Sequence, residues 1–404
     1  MDLKVTPKLL SGNIAVPPSK SISHRALIAA ALADGESRIS NVLDCEDTRA
    51  TEDALKSLGA EISKYKNDII VRGIKAPAEK ADINCRESGS TLRFMIPIAA
   101  ALGTKTSFRG EANLPNRPIT PFLEELPRHG TKFLAEKMPY IIEGKLKGGD
   151  FSVTGDISSQ FITGYMMALP LTGENCTISL TSELQSRPYA LLTADVMSSF
   201  GVDVAVGEND FKISADSSFK PCDYTVEADM SQAAFFLVAD AIGGNVNPVN
   251  LRYDSEQGDR AVIDIVKRFK ESGGKAFDVA ADDIPDLVPI LTVLACFAEG
   301  TSHITGCARL RIKECDRLAA ISDELNRLGA NIEAGEDSLT IHGVKSLHGG
   351  DCLTYSDHRI AMSLAIASQR CTESIIIRGA ECVSKSYPTF FEDFRMLGGI
   401  ADVI

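Results

Sequence analysis

No stretch of this chain stays apolar for long. The longest near-apolar run, Leu287 to Ala298, contains Pro289 and is too short to cross a bilayer. The start, Met1-Asp2-Leu3-Lys4, opens no signal peptide, so the expected location is the cytoplasm. The ten cysteines include no Cys-x-x-Cys pair, and they read as reduced thiols, not as zinc ligands or a disulfide framework. Positive charge is in deficit: the formal net charge is −13, and no basic-aromatic stripe appears, which argues against a nucleic-acid partner. No low-complexity linker divides the 404 residues, a length that suggests two or three domains.

What is present is concentrated at helix starts. Lys20-Ser21-Ile22-Ser23-His24-Arg25 places a lysine, two hydroxyls and an arginine at the mouth of the apolar run Ala26 to Ala33. Orphan N–H groups and the positive dipole end of a helix favour anions there, and Ser21 and Arg25, four residues apart, share a face. The plainer alternative is a capping serine with two solvated bases.

The arrangement recurs. Glycines suited to closing amphipathic helices stand at Gly59, Gly130, Gly201, Gly273, Gly329 and Gly398, about 70 residues apart except for a shorter interval after Gly273. Upstream of each begins a more apolar helix with a polar start, near Ser21, Ser90, Ser159, Ser231, Asp286 and Asp357. The pattern predicts six copies of one α/β unit, each with a buried helix, an amphipathic helix and several strands, divided as three plus three.

The other helix starts and loops carry further polar groups. Glu87-Ser88-Gly89-Ser90-Thr91-Leu92-Arg93 offers hydroxyls, a bare glycine and an arginine, and Asn116-Arg117-Pro118 sets an arginine in a loop. Ser158-Ser159-Gln160 and Ser186-Arg187-Pro188-Tyr189 are polar turns. Asp286, before Leu287 to Phe297, reads either as a base facing a pocket or as a helix cap. Lys313-Glu314-Cys315-Asp316-Arg317, Ser356-Asp357-His358-Arg359 and Ser384-Lys385-Ser386 follow. Asp357-His358 also invites a catalytic-dyad reading, although adjacent residues make a triad awkwardly. Together these positions supply many cations and few carboxylates, which suits two small, multiply charged anions.

The order of these motifs resembles that of the EPSP synthases, the 3-phosphoshikimate 1-carboxyvinyltransferases within the enolpyruvyl transferases. The resemblance runs from Pro17 to Pro388 and is carried by Pro-x-Ser-Lys-Ser-x-Ser-x-Arg at 17–25, Arg-x-Lys-Glu-x-Asp-Arg-Leu at 311–318 and Asp-His-Arg-Ile-Ala-Met at 357–362. It implies an α/β fold: a two-domain inside-out α/β barrel, each domain three βαβαββ-like repeats with buried helices. One domain would comprise residues 1–18 and 228–404, the other 19–227, with the active site in the cleft between them.

It also implies a reaction. The 5-hydroxyl of shikimate 3-phosphate attacks C2 of phosphoenolpyruvate while C3 is protonated, and the tetrahedral adduct then loses phosphate. By the resemblance, Lys20, Ser21, Arg25, Ser158, Ser159, Gln160, Ser186, Asp286 and Lys313 meet shikimate 3-phosphate. Lys20, Gly89, Arg117, Gln160, Arg317, Arg359 and Lys385 meet phosphoenolpyruvate. Asp286 would act as base toward the 5-hydroxyl, Glu314 as proton donor to C3, and Lys20 would belong to the catalytic set. No metal or other cofactor, no nucleic acid and no membrane is implied, and a monomer is expected. Glyphosate would compete with phosphoenolpyruvate.

The chain departs from the family's pattern in places. Asn-Ala-Gly-Thr reads Glu87-Ser88-Gly89-Ser90, Pro-Gly before Ser-Lys reads Pro17-Pro18, the loop after Arg117 lacks its usual aspartate, and Arg309 stands where some members place an asparagine. Three rivals share parts of the pattern. An enolpyruvyl transferase acting on UDP-N-acetylglucosamine carries a reactive loop cysteine, absent from Arg109 to Pro115. An RNA 3′-phosphate cyclase needs a nucleotide and a histidine nucleophile, and the acidic balance counts against it. A non-catalytic anion binder follows if Asp286 and Glu314 are only caps.

Overall fold

The computed structural model describes residues 1–404. The chain divides into two compact units, Met1–Pro17 with Ala228–Ile404, and Pro18–Glu227. Pro18, expected in the first of these, falls in the second.

Within Pro18–Glu227 three helices are apolar nearly all round and are accordingly buried: Lys20–Leu32, Gly89–Leu102 and Ser159–Ala168. Each begins on a serine cap: Ser19, Ser88 and Ser158 accept from the backbone N–H of Ile22, Thr91 and Gln160. Two of these helices approach unusually closely. Pro97 has no N–H to bond the Arg93 carbonyl four residues back, and the bare Cα of Gly164 lies against that carbonyl, where a Cβ would be 2.4 Å from it.

Gly89–Leu102 and Ser159–Ala168 each connect a parallel strand pair, whereas Lys20–Leu32 leads into Glu36–Ser40, whose parallel partner Tyr224–Thr225 comes from the end of the unit; after each buried helix an amphipathic segment leads to a hairpin on the same sheet. The first sheet has the spatial order Tyr224–Thr225, Glu36–Ser40, Asp68–Arg72, Glu61–Tyr65; Lys80–Asn84 with Lys105–Arg109 and Gly149–Val153 with Cys176–Leu180 open two more of the same design. Strands such as Glu36–Ser40 alternate exposed and buried positions, so one face of the sheet meets the helices and the other meets solvent.

The unit of Met1–Pro17 and Ala228–Ile404 repeats the plan around Met230–Ala241, Val288–Cys296 and His358–Ala367. Its sheets are not all alike. Two have four strands, but Asn245–Pro248 pairs only with Ser11–Ile14. The copy that lacks a hairpin is the one followed by the shortened glycine interval. The amino-terminal strand Leu3–Thr6 lies between Ile375–Arg378 and Ile400–Val403, with Leu3 opposite Ile377 and Val403, so it completes the sheet that the carboxyl terminus begins.

The architecture is therefore mixed α/β, with five four-stranded sheets and one two-stranded sheet. Each sheet is open, so the barrel expected from the resemblance is not a closed one. All six helix-closing glycines have positive φ, from 74° at Gly273 to 115° at Gly59, a region that costs other residues strain. The ten cysteines are free thiols, eight of them buried. No helix is long and apolar enough to cross a membrane.

Candidate active site

In Pro18–Glu227 the polar groups gather at the starts of the three buried helices. Lys20, in the first turn of its helix, reaches Asp47 at 2.8 Å. Arg25 is 3% exposed and is held on several sides. It donates through Nε to Thr193 Oγ1 (2.9 Å), through Nη1 to the Ser21 carbonyl (2.8 Å), and through Nη2 to Thr163 Oγ1 (3.2 Å) and the Tyr189 carbonyl (3.1 Å). Its guanidinium lies 5.3 Å from the Phe94 ring centre. These partners are all uncharged, and burial pushes the guanidinium down to about 10.

Arg93 donates to Gln160 Oε1 at 2.7 Å and to the Pro118 carbonyl, while Gln160 donates to Ser90 Oγ at 2.9 Å. Helices Gly89–Leu102 and Ser159–Ala168 thus share one polar network at their starts. Arg117 lies against Gly89, with its guanidinium where a Cβ on Gly89 would be within 2.6 to 2.9 Å. Ser159 is buried, and Ser186 is buried with φ of 55°, a strained position for a residue with a side chain. Ser21 and Gln160 are partly exposed.

The unit of Met1–Pro17 and Ala228–Ile404 carries a different arrangement. Arg317, 2% exposed at its side chain, meets Asp286 at 3.0 Å, Glu314 at 2.6 Å and Asp357 at 2.6 Å. Arg359 meets Asp286 at 2.7 Å and also donates to the Asp286 carbonyl and Ser231 Oγ. Lys385, buried, donates to the Ser356 carbonyl at 2.7 Å. Tyr355 and Ser356, just before the helix cap Asp357, have φ of 52° and 55°. Arg309 is buried and donates to the Asp282 carbonyl at 2.7 Å.

Charge balance explains the titration of this cluster. Burial alone would raise Asp286, but Arg359, Arg317 and Lys313 outweigh it and hold the carboxyl well below its usual range. Burial pushes the Lys313 ammonium down to about 7, with Asp286 opposing and Arg317 and Arg309 adding to the fall. If protonated Lys313 holds an anion, kcat/KM should decline as pH rises through about 7, because that ratio reports the free enzyme. Lys313→Arg should remove that limb of the profile, since guanidinium stays charged. An identical limb in the variant would assign it to another group.

One expectation needs correction, and one reading that the sequence already disfavoured does not hold. Carboxylates are not few: Asp47, Asp286, Glu314 and Asp357 each pair with a cation of the set. Around Arg317 burial is met by counter-charge from three carboxylates, whereas Arg25, also buried, is met by neutral acceptors alone. Nor does Asp357 serve as a dyad partner for His358. Its two oxygens take the Arg359 backbone N–H at 2.8 Å and Arg317 Nε, so it caps the helix and pairs with an arginine. Sequence reasoning missed Asp47, Thr163 and Thr193 as partners of Lys20 and Arg25, since nothing in their local motifs marks them. Arg93 was visible in its motif but lay outside the assigned ligand sets.

The EPSP synthase (3-phosphoshikimate 1-carboxyvinyltransferase) family model matches residues 5–394. The chain belongs to this family. Curated EPSP synthases agree at the sequence level. The 3-phosphoshikimate 1-carboxyvinyltransferase of Clostridium kluyveri is 44% identical, covering 99% of this chain and 98% of the relative. That of Clostridioides difficile is 44% identical, also covering 99% and 98%. Among solved structures, the EPSP synthase of Acinetobacter baumannii superposes with a TM-score of 0.82 at 26% identity over 100% of both chains. The enolpyruvyl transferase NikO of Streptomyces tendae, at 16% identity, shares the fold with a TM-score of 0.74 over 99% of this chain and 98% of that one. The three motifs that carry the resemblance all lie within the matched EPSP synthase span, and each contributes side chains to the two clusters described above.

Proposed function

We propose that this enzyme transfers the enolpyruvyl group of phosphoenolpyruvate to the 5-hydroxyl of shikimate 3-phosphate, releasing phosphate and 5-enolpyruvylshikimate 3-phosphate, a step toward chorismate and the aromatic amino acids. The observation that carries the reading is the division of labour between the clusters. One is a buried arginine held only by neutral acceptors beside capped helix starts; the other is an arginine pair whose charge is met by carboxylates able to move protons.

In this reading Ser21, Arg25, Ser158, Ser159, Gln160, Ser186 and Lys313 hold shikimate 3-phosphate. Arg117, Gln160, Arg317, Arg359 and Lys385 hold phosphoenolpyruvate against the bare face of Gly89, and Lys20 serves both. Turnover requires groups from both units. Each unit is read as an inside-out arrangement in which sheets surround buried helices. The enzyme works as a cytoplasmic monomer on small molecules, without cofactor, nucleic acid or membrane.

The chemistry follows from competition for the arginines. Arg317 and Arg359 hold Asp286 ionised, and Arg317 also pairs with Glu314. When the anionic groups of phosphoenolpyruvate take these guanidiniums, both carboxylates lose positive charge and accept protons more readily. Asp286 then takes the proton of the 5-hydroxyl as its oxygen bonds to C2, and Glu314, protonated, delivers a proton to C3. The adduct expels phosphate as C3 returns a proton, which restores the double bond.

Running the reaction in deuterium oxide tests the second role. Wild-type product is expected to carry deuterium in its methylene, whereas Glu314→Gln should bind both substrates yet incorporate almost none. Unchanged incorporation in the variant would take C3 protonation away from Glu314.

A further inference from the structure

Arg25 has five N–H donors, and four hydrogen bonds are formed from them to two threonine hydroxyls and two carbonyls. The hydroxyls are not passive acceptors. Thr193 Oγ1 donates to the Tyr189 carbonyl at 2.9 Å, so its lone pairs remain for Arg25 Nε and for Thr163 Oγ1, 2.8 Å away. Thr163 must then donate to Thr193 and accept from Arg25 Nη2. The proton order is fully determined: guanidinium to hydroxyls, hydroxyl to hydroxyl, hydroxyl to carbonyl. Both threonines are fully buried, and they sit on different helices, Ser159–Ala168 and Arg187–Ser199.

From this geometry we infer that Thr163 and Thr193 are positioning residues for shikimate 3-phosphate: they fix the plane of the Arg25 guanidinium while leaving its charge uncompensated, so that the charge is available to the substrate anion. The inference rests on the reading of Arg25 as an anion-holding residue. A carboxylate in either position would orient the guanidinium equally well but neutralise it, as Asp286, Glu314 and Asp357 do for Arg317. Hydroxyls orient without neutralising. With four hydrogen bonds committed, Arg25 presents a single remaining N–H, on Nη1. It therefore offers the substrate one hydrogen bond and a fixed charge instead of a two-pronged clamp. Lysine cannot substitute, since one ammonium has three donors and no plane to fix.

The test is steady-state kinetics on Thr193→Val, Thr163→Val, Thr193→Ser and Arg25→Ala, each with a thermal melt. Valine keeps the shape of threonine and removes only the hydroxyl. Thr193→Val is expected to raise KM for shikimate 3-phosphate about tenfold or more, with KM for phosphoenolpyruvate changed far less. Thr193→Ser, which restores the hydroxyl, should return KM to near the wild-type value. Thr163→Val should show the same selective effect, and it stands in if Thr193→Val does not fold. Valine variants that melt lower but keep the wild-type KM for shikimate 3-phosphate would reduce the threonines to structural partners and overturn the inference. Arg25→Ala separates the two levels. If it leaves KM for shikimate 3-phosphate unchanged, the anion-holding reading of Arg25 itself fails; if it raises that KM while the valine variants do not, only the positioning role fails.

Discussion

Lys20→Ala is expected to lower kcat/KM by about a hundredfold or more while the protein still folds, because a charge-assisted contact is worth roughly 1.5–3 kcal/mol and this ammonium is proposed to serve two anions. The fold should tolerate the change. Lys20 sits in the first turn of its helix, after the cap Ser19, so truncation removes no backbone bond and no cap. Its ion pair with Asp47 keeps some exposure, 15% and 13% at the side chains, so its loss is expected to cost a few kcal/mol at most. A control distinguishes the cation from the pair. Asp47→Asn also breaks the ion pair but keeps the ammonium, so it should retain far more activity than Lys20→Ala. Equal losses in the two variants would mean that Lys20 matters only as a partner for Asp47.

Gly89→Ala should produce the second large effect, a selective loss of glyphosate inhibition. The backbone itself permits alanine, since Gly89 is not among the positive-φ residues and opens a helix that Ser88 caps. The obstacle is the neighbour. A Cβ there would lie 2.6 Å from Arg117 Nη1, 2.7 Å from Cζ and 2.9 Å from Nη2, and real Cβ atoms do not approach so closely. A guanidinium is the far end of a flexible side chain, so Arg117 would swing aside and the fold would survive. The anion it is proposed to hold would then meet both a displaced cation and a new methyl group. Glyphosate, which the family resemblance places in the phosphoenolpyruvate pocket and which is slightly longer than that substrate, should suffer more. Its inhibition constant is expected to rise about tenfold or more beyond any rise in KM for phosphoenolpyruvate, the scale of a methyl-sized steric discrimination. An unchanged ratio of the two constants would place Gly89 outside the pocket.

Much of the fold was legible because it repeats. The six closing glycines marked helix ends that require positive φ, but the short interval after Gly273 was not read as the loss of a hairpin, which only the strand pairing shows. The buried helices were readable as apolar runs with polar starts. The pairings that join distant segments within each unit were not. Ser11–Ile14 pairs with Asn245–Pro248, and the two-residue strand Tyr224–Thr225 pairs with Glu36–Ser40; such short pairings between distant segments leave no period to detect. The site divides the same way. Lys20, Arg25, Arg317 and Arg359 stand in dense local motifs. Thr163 and Thr193 are single polar residues on their helices and Asp47 is one of several charges on its own, and their role appears only when the helices of the unit are packed together. The buried carboxylates were underestimated because counting charges along the chain does not reveal that Arg317 is almost wholly removed from water or that three carboxylates meet it there.

The central claim is the identity of the acceptor, and phosphate release with two acceptors compared side by side tests it most directly. Enzyme and phosphoenolpyruvate would be incubated with shikimate 3-phosphate in one arm and UDP-N-acetylglucosamine in the other, with phosphoenolpyruvate alone as the blank. Rapid release of phosphate, matched by enolpyruvyl product, is expected with shikimate 3-phosphate only. Release with UDP-N-acetylglucosamine, or none above the blank in either arm, would contradict that claim.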